Sequence, residues 1–274
     1  MLGSIRAEIA KLVRRPATWL LLAVALVLAM TFTYLVPYAG YAGGTAGMPN
    51  SDRGLDAILP AQLVGNAIGG LPVFLGAIAL ILGVLVVGAE YGWGTWKTVL
   101  TQGPSRLTVY AGKLVALAAG TLAGVLAVFA AGALASALIA AAEDAPARWP
   151  SPGALLVGIG AGWLVAGMWA ALGALLAVAL RGVALPIGLG LVWLLAVQNL
   201  LASIAAPLLD WVADLQRGLP GPNAGSLVAA LGARADTPGV AALAGGGTAA
   251  LVIGAYLVGF VVLGGALLRR GDVV

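Results

Sequence analysis

The chain has 274 residues, 62% of them hydrophobic and only 9% charged, against about 25% charged in an ordinary soluble domain. It holds no cysteine and no histidine, which excludes disulfides, thiol nucleophiles, Ser–His catalysis and the commonest metal ligand. The net charge of +4 is spread along the chain instead of being gathered on one domain, which argues against a nucleic-acid partner.

The charged residues leave six long gaps, 16–51, 57–89, 114–142, 149–180, 182–209 and 237–268. A helix needs about 20 apolar residues to cross roughly 30 Å of hydrocarbon. The pattern predicts an all-α membrane protein forming a single transmembrane domain over 1–274. Its six spans are expected at about 17–36, 63–89, 114–141, 153–180, 183–206 and 248–268.

Residues 3–15 read as a short amphipathic helix lying in the membrane interface. Ile5, Ile9, Leu12 and Val13 share one stripe, and Arg6, Glu8, Lys11 and Arg14 fall elsewhere. A plain basic flank that only sets topology is the other reading. Pro16 ends this helix and opens the first span. The apolar run from Ala17 to Val36 is longer than the core of a cleaved signal peptide. Pro72 predicts a kink in the second span.

The connection after span two is EYGWGTWKTVLTQGPSRLTVYAGK, residues 90–113. Glu90 stands at the exit of the span. Trp93, Trp96, Lys97 and Leu100 fit a short surface helix, Gly103-Pro104 a turn, and Arg106 and Lys113 lead back to the bilayer. Such a segment suits a docking surface, and it equally suits an anchor in the aromatic belt of the membrane. Arg181-Gly182 predicts a tight hairpin between spans four and five. The segment 207–240 alternates Leu208, Leu209, Trp211, Val212 and Leu215 with Asp210, Asp214 and Arg217. It is expected to form an outer interfacial or re-entrant pair of helices, broken at Gly221-Pro222-Asn223, with an ordinary long loop carrying one amphipathic turn as the other reading. Small residues recur four apart, as in Gly65 and Gly69, Gly120 and Gly124, and Gly158 and Gly162, which allows close helix contact in lipid.

Orientation follows from the cations. With the N-terminus inside, Arg6, Lys11, Arg14, Arg15, Lys97, Arg106, Lys113, Arg181, Arg269 and Arg270 are cytoplasmic. Arg53, Arg148, Arg217 and Arg234 are then outside. The positive-inside rule requires this direction, so both termini are expected in the cytoplasm.

No charged residue lies in mid-span, where ion-coupled carriers usually place one. There is also no G-x-x-x-x-G-K-[ST] phosphate loop. An ion-coupled carrier is therefore disfavoured, and the chain is expected neither to bind ATP by a P-loop nor to be catalytic by itself.

The basic N-terminus ending in LVRRPATW, the six spans, EYGWGTWKTVLTQGPSR and the outer LPGPNAGSLVAAL together resemble the membrane subunit of an ABC-2 type ABC transporter. The resemblance implies a multi-pass plasma-membrane permease with no cofactor of its own, and with ATP and Mg on a separate ABC ATPase subunit. It implies a second permease copy or paralogue and outward movement of a lipid, peptide or drug-like substrate. By it, 90–106 is the coupling helix, with Glu90, Trp93, Trp96, Lys97, Leu100 and Arg106 meeting the ATPase. It assigns the pathway to spans two and five, where Asn66, Gln198 and Asn199 are polar and Phe74 and Trp193 are apolar walls. An ATP-independent carrier and a non-transporting scaffold or immunity protein are the competing functions.

Overall fold

The computed structural model describes residues 2–43, 52–92, 94, 105–201 and 209–270. Every regular element among them is helical. Helix α1, Leu2–Arg14, ends at Arg15, whose extended backbone is what a following proline favours. Pro16 opens α2, Pro16–Tyr41, which contains a π-helical turn at Thr31–Leu35. Then come α3, Leu63–Ile68, α4, Phe74–Gly92, α5, Arg106–Ala142, and α6, Pro152–Leu180. The chain continues as α7, Ala184–Leu200, α8, Asp210–Gln216, α9, Pro220–Ala230, and α10, Gly246–Arg270.

Five of these helices, α2, α4, α5, α6 and α10, are long and apolar enough to cross a membrane. Helix α7 is the described part of the expected span 183–206 and is shorter; residues 202–208 lie outside the described residues. It carries its own π-helical turn at Val192–Val197.

Three boundaries differ from expectation. Span two is broken, not kinked. Gly69–Val73 forms a turn, and the Leu75 N–H reaches back to the Gly70 carbonyl at 2.9 Å. Two glycines and Pro72, which has no N–H to donate, sit together there. Helix α5 begins at Arg106 instead of 114, capped by the Ser105 hydroxyl, which accepts from the Thr108 N–H at 3.2 Å. Its 37 residues reach about 55 Å, far beyond a hydrocarbon core. Finally, Gly221-Pro222-Asn223 does not break a helix but lies in the first turn of α9, where Pro220 and Pro222 sacrifice no helical hydrogen bond. The break falls earlier, at Arg217–Leu219.

The core is built on α4 and α6. A Cβ added at Gly83 would strike the Ala170 carbonyl, and one added at Gly173 would strike the Leu80 carbonyl. The two backbones therefore meet directly, and Trp169 lies fully buried against Gly76. In lipid, where hydrophobicity does not drive helix association, this close fit supplies the attraction. Helix α10 packs on α6 and on α9. The hairpin at Arg181 turns through a left-handed backbone, φ 51°. At the opposite end Asp236 pairs with Arg53 at 3.4 Å and Arg234 at 3.1 Å. Burial works against ionising Asp236, and the two arginines outweigh it, holding its pKa below the usual value.

Because a backbone carbonyl cannot step aside, Gly83→Leu and Gly173→Leu should each force α4 and α6 apart, costing about 1–3 kcal/mol or more. Gly160, with open space around its Cα, is the control. Thermal unfolding of the detergent-solubilised chain should fall for the first two variants and stay unchanged for Gly160→Leu.

Candidate functional site

Four charged side chains form a closed ring where α1, the end of α4 and the start of α5 meet. The Lys113 ammonium donates to Glu8 Oε2 at 2.9 Å, Glu90 Oε1 at 3.0 Å and the Val86 carbonyl at 3.3 Å. Those three acceptors match the three protons of an ammonium, and Lys113 is only 1% exposed. Lys11 closes the ring, donating to Glu8 Oε1 at 2.9 Å and Glu90 Oε1 at 2.8 Å. Two acids face two lysines, so the ring is neutral as a unit. Burial disfavours the Lys11 cation, but hydrogen bonds to Glu90 and Glu8 prevail and raise its pKa above 10.5. A raised lysine pKa stabilises fully below the ordinary value and is lost only as pH climbs past the raised one. Lys11 therefore stays charged throughout the physiological range.

The local sequence explains how the ring is assembled. Ser4, Glu8 and Leu12 recur at four-residue spacing and form the face of α1 turned to the protein. Ser4 meets Gly112 and Leu12 meets Gly120, so α1 runs beside α5 in the same direction and Glu8 falls opposite Lys113. The expected apolar stripe is divided. Leu12 is buried, Ile5 half-buried, and Ile9 and Val13 are exposed. One turn further on, Arg15 donates to the Leu85 carbonyl at 2.7 Å, tying the start of α2 to α4. Arg106 donates to the Leu268 carbonyl at 3.4 Å, joining the first turn of α5 to the end of α10.

Of the residues expected to couple, Glu90 and Arg106 are therefore held inside this chain. Glu90 is 5% exposed, with its carboxylate turned to Lys11 and Lys113. Trp93, Trp96, Lys97 and Leu100 lie outside the described residues. The expected pathway residues do not form one cluster. Asn66 is half-buried and donates to the Ala57 carbonyl at 2.8 Å. Gln198 is buried against Gly221, at the start of α9, with its Nε2 unpartnered among the described residues. Trp193 is half-buried and packs on the core. Phe74 and Asn199 are exposed, and the Asn199 amide donates to the Leu195 carbonyl at 2.7 Å.

Sequence reasoning treated Glu8 and Lys113 as ordinary flanking charges and missed the ring. Its signal was Glu8 itself, the single acid in the first 51 residues, set among four basic side chains within a strongly apolar stretch.

A family model described as ABC-2 family transporter protein matches residues 4–197. No curated protein matches the chain.

Removing one partner of a buried ion pair leaves an uncompensated charge, at a cost of about 3–5 kcal/mol. Lys113→Met should therefore lower the unfolding temperature far more than Arg6→Met, which removes an exposed cation of the same helix pair. Equal, small effects would show that the ring contributes nothing to stability.

Proposed function

Because the chain belongs to the ABC-2 family of transporter proteins, we propose that it is the membrane-spanning permease subunit of an ATP-driven transporter. Its engine is a separate ABC ATPase that carries ATP and Mg. The observation that carries this reading is the ion ring. It clamps α1 to both helices between which residues 93–104 run, so a force applied to that segment passes into three elements together.

Trp93, Trp96, Lys97 and Leu100 are the residues that meet the ATPase in this reading, with the Trp pair as its apolar anchors. Glu90 acts differently from a surface contact. Buried between two lysines, it fixes the end of α4 from which the segment departs. Arg106 does the same at the other end through Leu268. ATP supplies the energy elsewhere, which fits a chain with no charge in mid-span. Six spans form half of a pathway, with α7 as the fifth, both termini cytoplasmic and a second copy or paralogue completing the transporter. The pathway runs between protomers along spans two and five, where Phe74 and Asn199 are exposed. The substrate class is a lipid, peptide or drug-like molecule, moved outward across the plasma membrane.

Interface energy concentrates in buried aromatic anchors, often about 2 kcal/mol or more each. The test is co-purification of an ABC ATPase with the tagged chain, followed by ATP hydrolysis in proteoliposomes. The double variant Trp93→Ala, Trp96→Ala should insert normally, weaken ATPase binding by roughly 700-fold, and abolish stimulated hydrolysis. Normal association and hydrolysis in that variant would make the segment a membrane anchor and refute the coupling role. Topology is checked separately. Cysteines placed at Lys97 and Asp56 should react with an impermeant reagent from opposite sides of the membrane.

A further inference from the structure

We infer that the cleft between α2 and the α4–α5 pair is a binding site for one acyl chain of an anionic phospholipid, from the leaflet bordered by α1. The cleft holds about 340 Å³ and is walled by residues such as Val13, Trp19, Leu22, Ile78, Gly124 and Val128. Only Thr18, Trp19 and Thr121 among its lining residues carry a side-chain heteroatom. The Trp19 N–H is already given to the Val13 carbonyl at 2.7 Å, and the Thr121 hydroxyl to the Ala118 carbonyl at 3.0 Å. A polar ligand would thus find almost nothing to bond, whereas a hydrocarbon chain would lose nothing.

Length and charge name the occupant. Along α5 the lining runs from Ala116 to Val128, about 18 Å at the helical rise. That is roughly the depth of one leaflet of a 30 Å core. At one end lies α1, whose Glu8 is neutralised within the ion ring. With Glu8 held by Lys11 and Lys113, Arg6 and Arg14 add two exposed cations at this border. Arg14 is exposed and follows directly on the cleft-lining Val13. An anionic headgroup at this end and its acyl chain in the cleft satisfy both features. The inference rests on these helices crossing a bilayer and is independent of any ATPase.

Gly124 provides the test. It lines the cleft, and a Cβ there would meet nothing within 4 Å, so a side chain fills the cleft without displacing the fold. The full chain is reconstituted into phosphatidylethanolamine vesicles containing phosphatidylglycerol or phosphatidylcholine with a photoreactive acyl chain. Crosslinks are then mapped by peptide mass spectrometry. Phosphatidylglycerol should label Leu21–Ala25 and Ala123–Val128 in excess over Leu134 and Leu138, which are exposed on the same α5. Gly124→Phe should abolish that excess and Gly124→Leu reduce it, both with unchanged unfolding temperature. Arg14→Gln should cut the preference for phosphatidylglycerol over phosphatidylcholine by about fivefold, the contribution of one basic residue near an anionic surface. Labelling no stronger than at Leu134 and Leu138, equal labelling by both lipids, or undiminished labelling in Gly124→Phe would overturn the site. So would protection of the cleft by a second copy of the chain.

Discussion

A lysine ammonium buried to 1% exposure has to be neutralised where it stands, and this requirement organises one end of the molecule. Lys113 needs three acceptors, and it takes them from two elements distant in sequence. Glu8 comes from α1 and Glu90 with Val86 from α4. Lys11 then balances the second negative charge. No member can leave without stranding another in a poorly solvated place, so the ring behaves as one unit. Helix α1 is thereby tied to the pair that carries residues 93–104. Arg6 and Arg14 stay exposed on the same segment and set the charge of the membrane border.

The rest of the fold obeys a different constraint. Away from that border the helices hold few polar partners, so close approach must do the work. The α4–α6 contact achieves it by removing side chains at Gly83 and Gly173. Helix α2 is the counterexample. It is the least buried of the long helices, it has a π-helical turn, and it leaves an apolar cleft beside α5. Helices α4 and α6 thus form the closely packed centre, and α2 stands at its edge.

The long helices were legible in the sequence because excluding charge from hydrocarbon is a one-dimensional rule, visible as runs without Asp, Glu, Lys or Arg. Details that depend on three dimensions were not. Pro72 marked the right place in span two, but only the neighbouring Gly69 and Gly70 let the chain turn fully there. Pro222 resembled a breaker and is instead tolerated, because the helix starts at Pro220. Four-residue glycine spacing picked out Gly65, which lies directly against the Gly232 backbone, but not Gly83 and Gly173, where α4 and α6 meet. The ring was the least legible feature. Glu8 and Lys113 are 105 residues apart, and each on its own looks like a flanking charge. Within the spans that the resemblance assigns to the pathway, Asn66, Gln198 and Asn199 stand out by polarity, and polarity does not reveal that Gln198 faces Gly221 within the same chain.

The central claim is that the ion ring holds α1 against α5. The absence of native cysteine allows a direct measurement. A Cβ built at Gly112 lies 3.4 Å from Ser4 Cβ, close to the separation a disulfide needs. The double variant Ser4→Cys, Gly112→Cys should crosslink within the chain on mild oxidation in native membranes. Adding Glu8→Gln and Lys113→Met should suppress that crosslink strongly. Failure of the cysteines to crosslink, or equal crosslinking without the ring, would contradict the account.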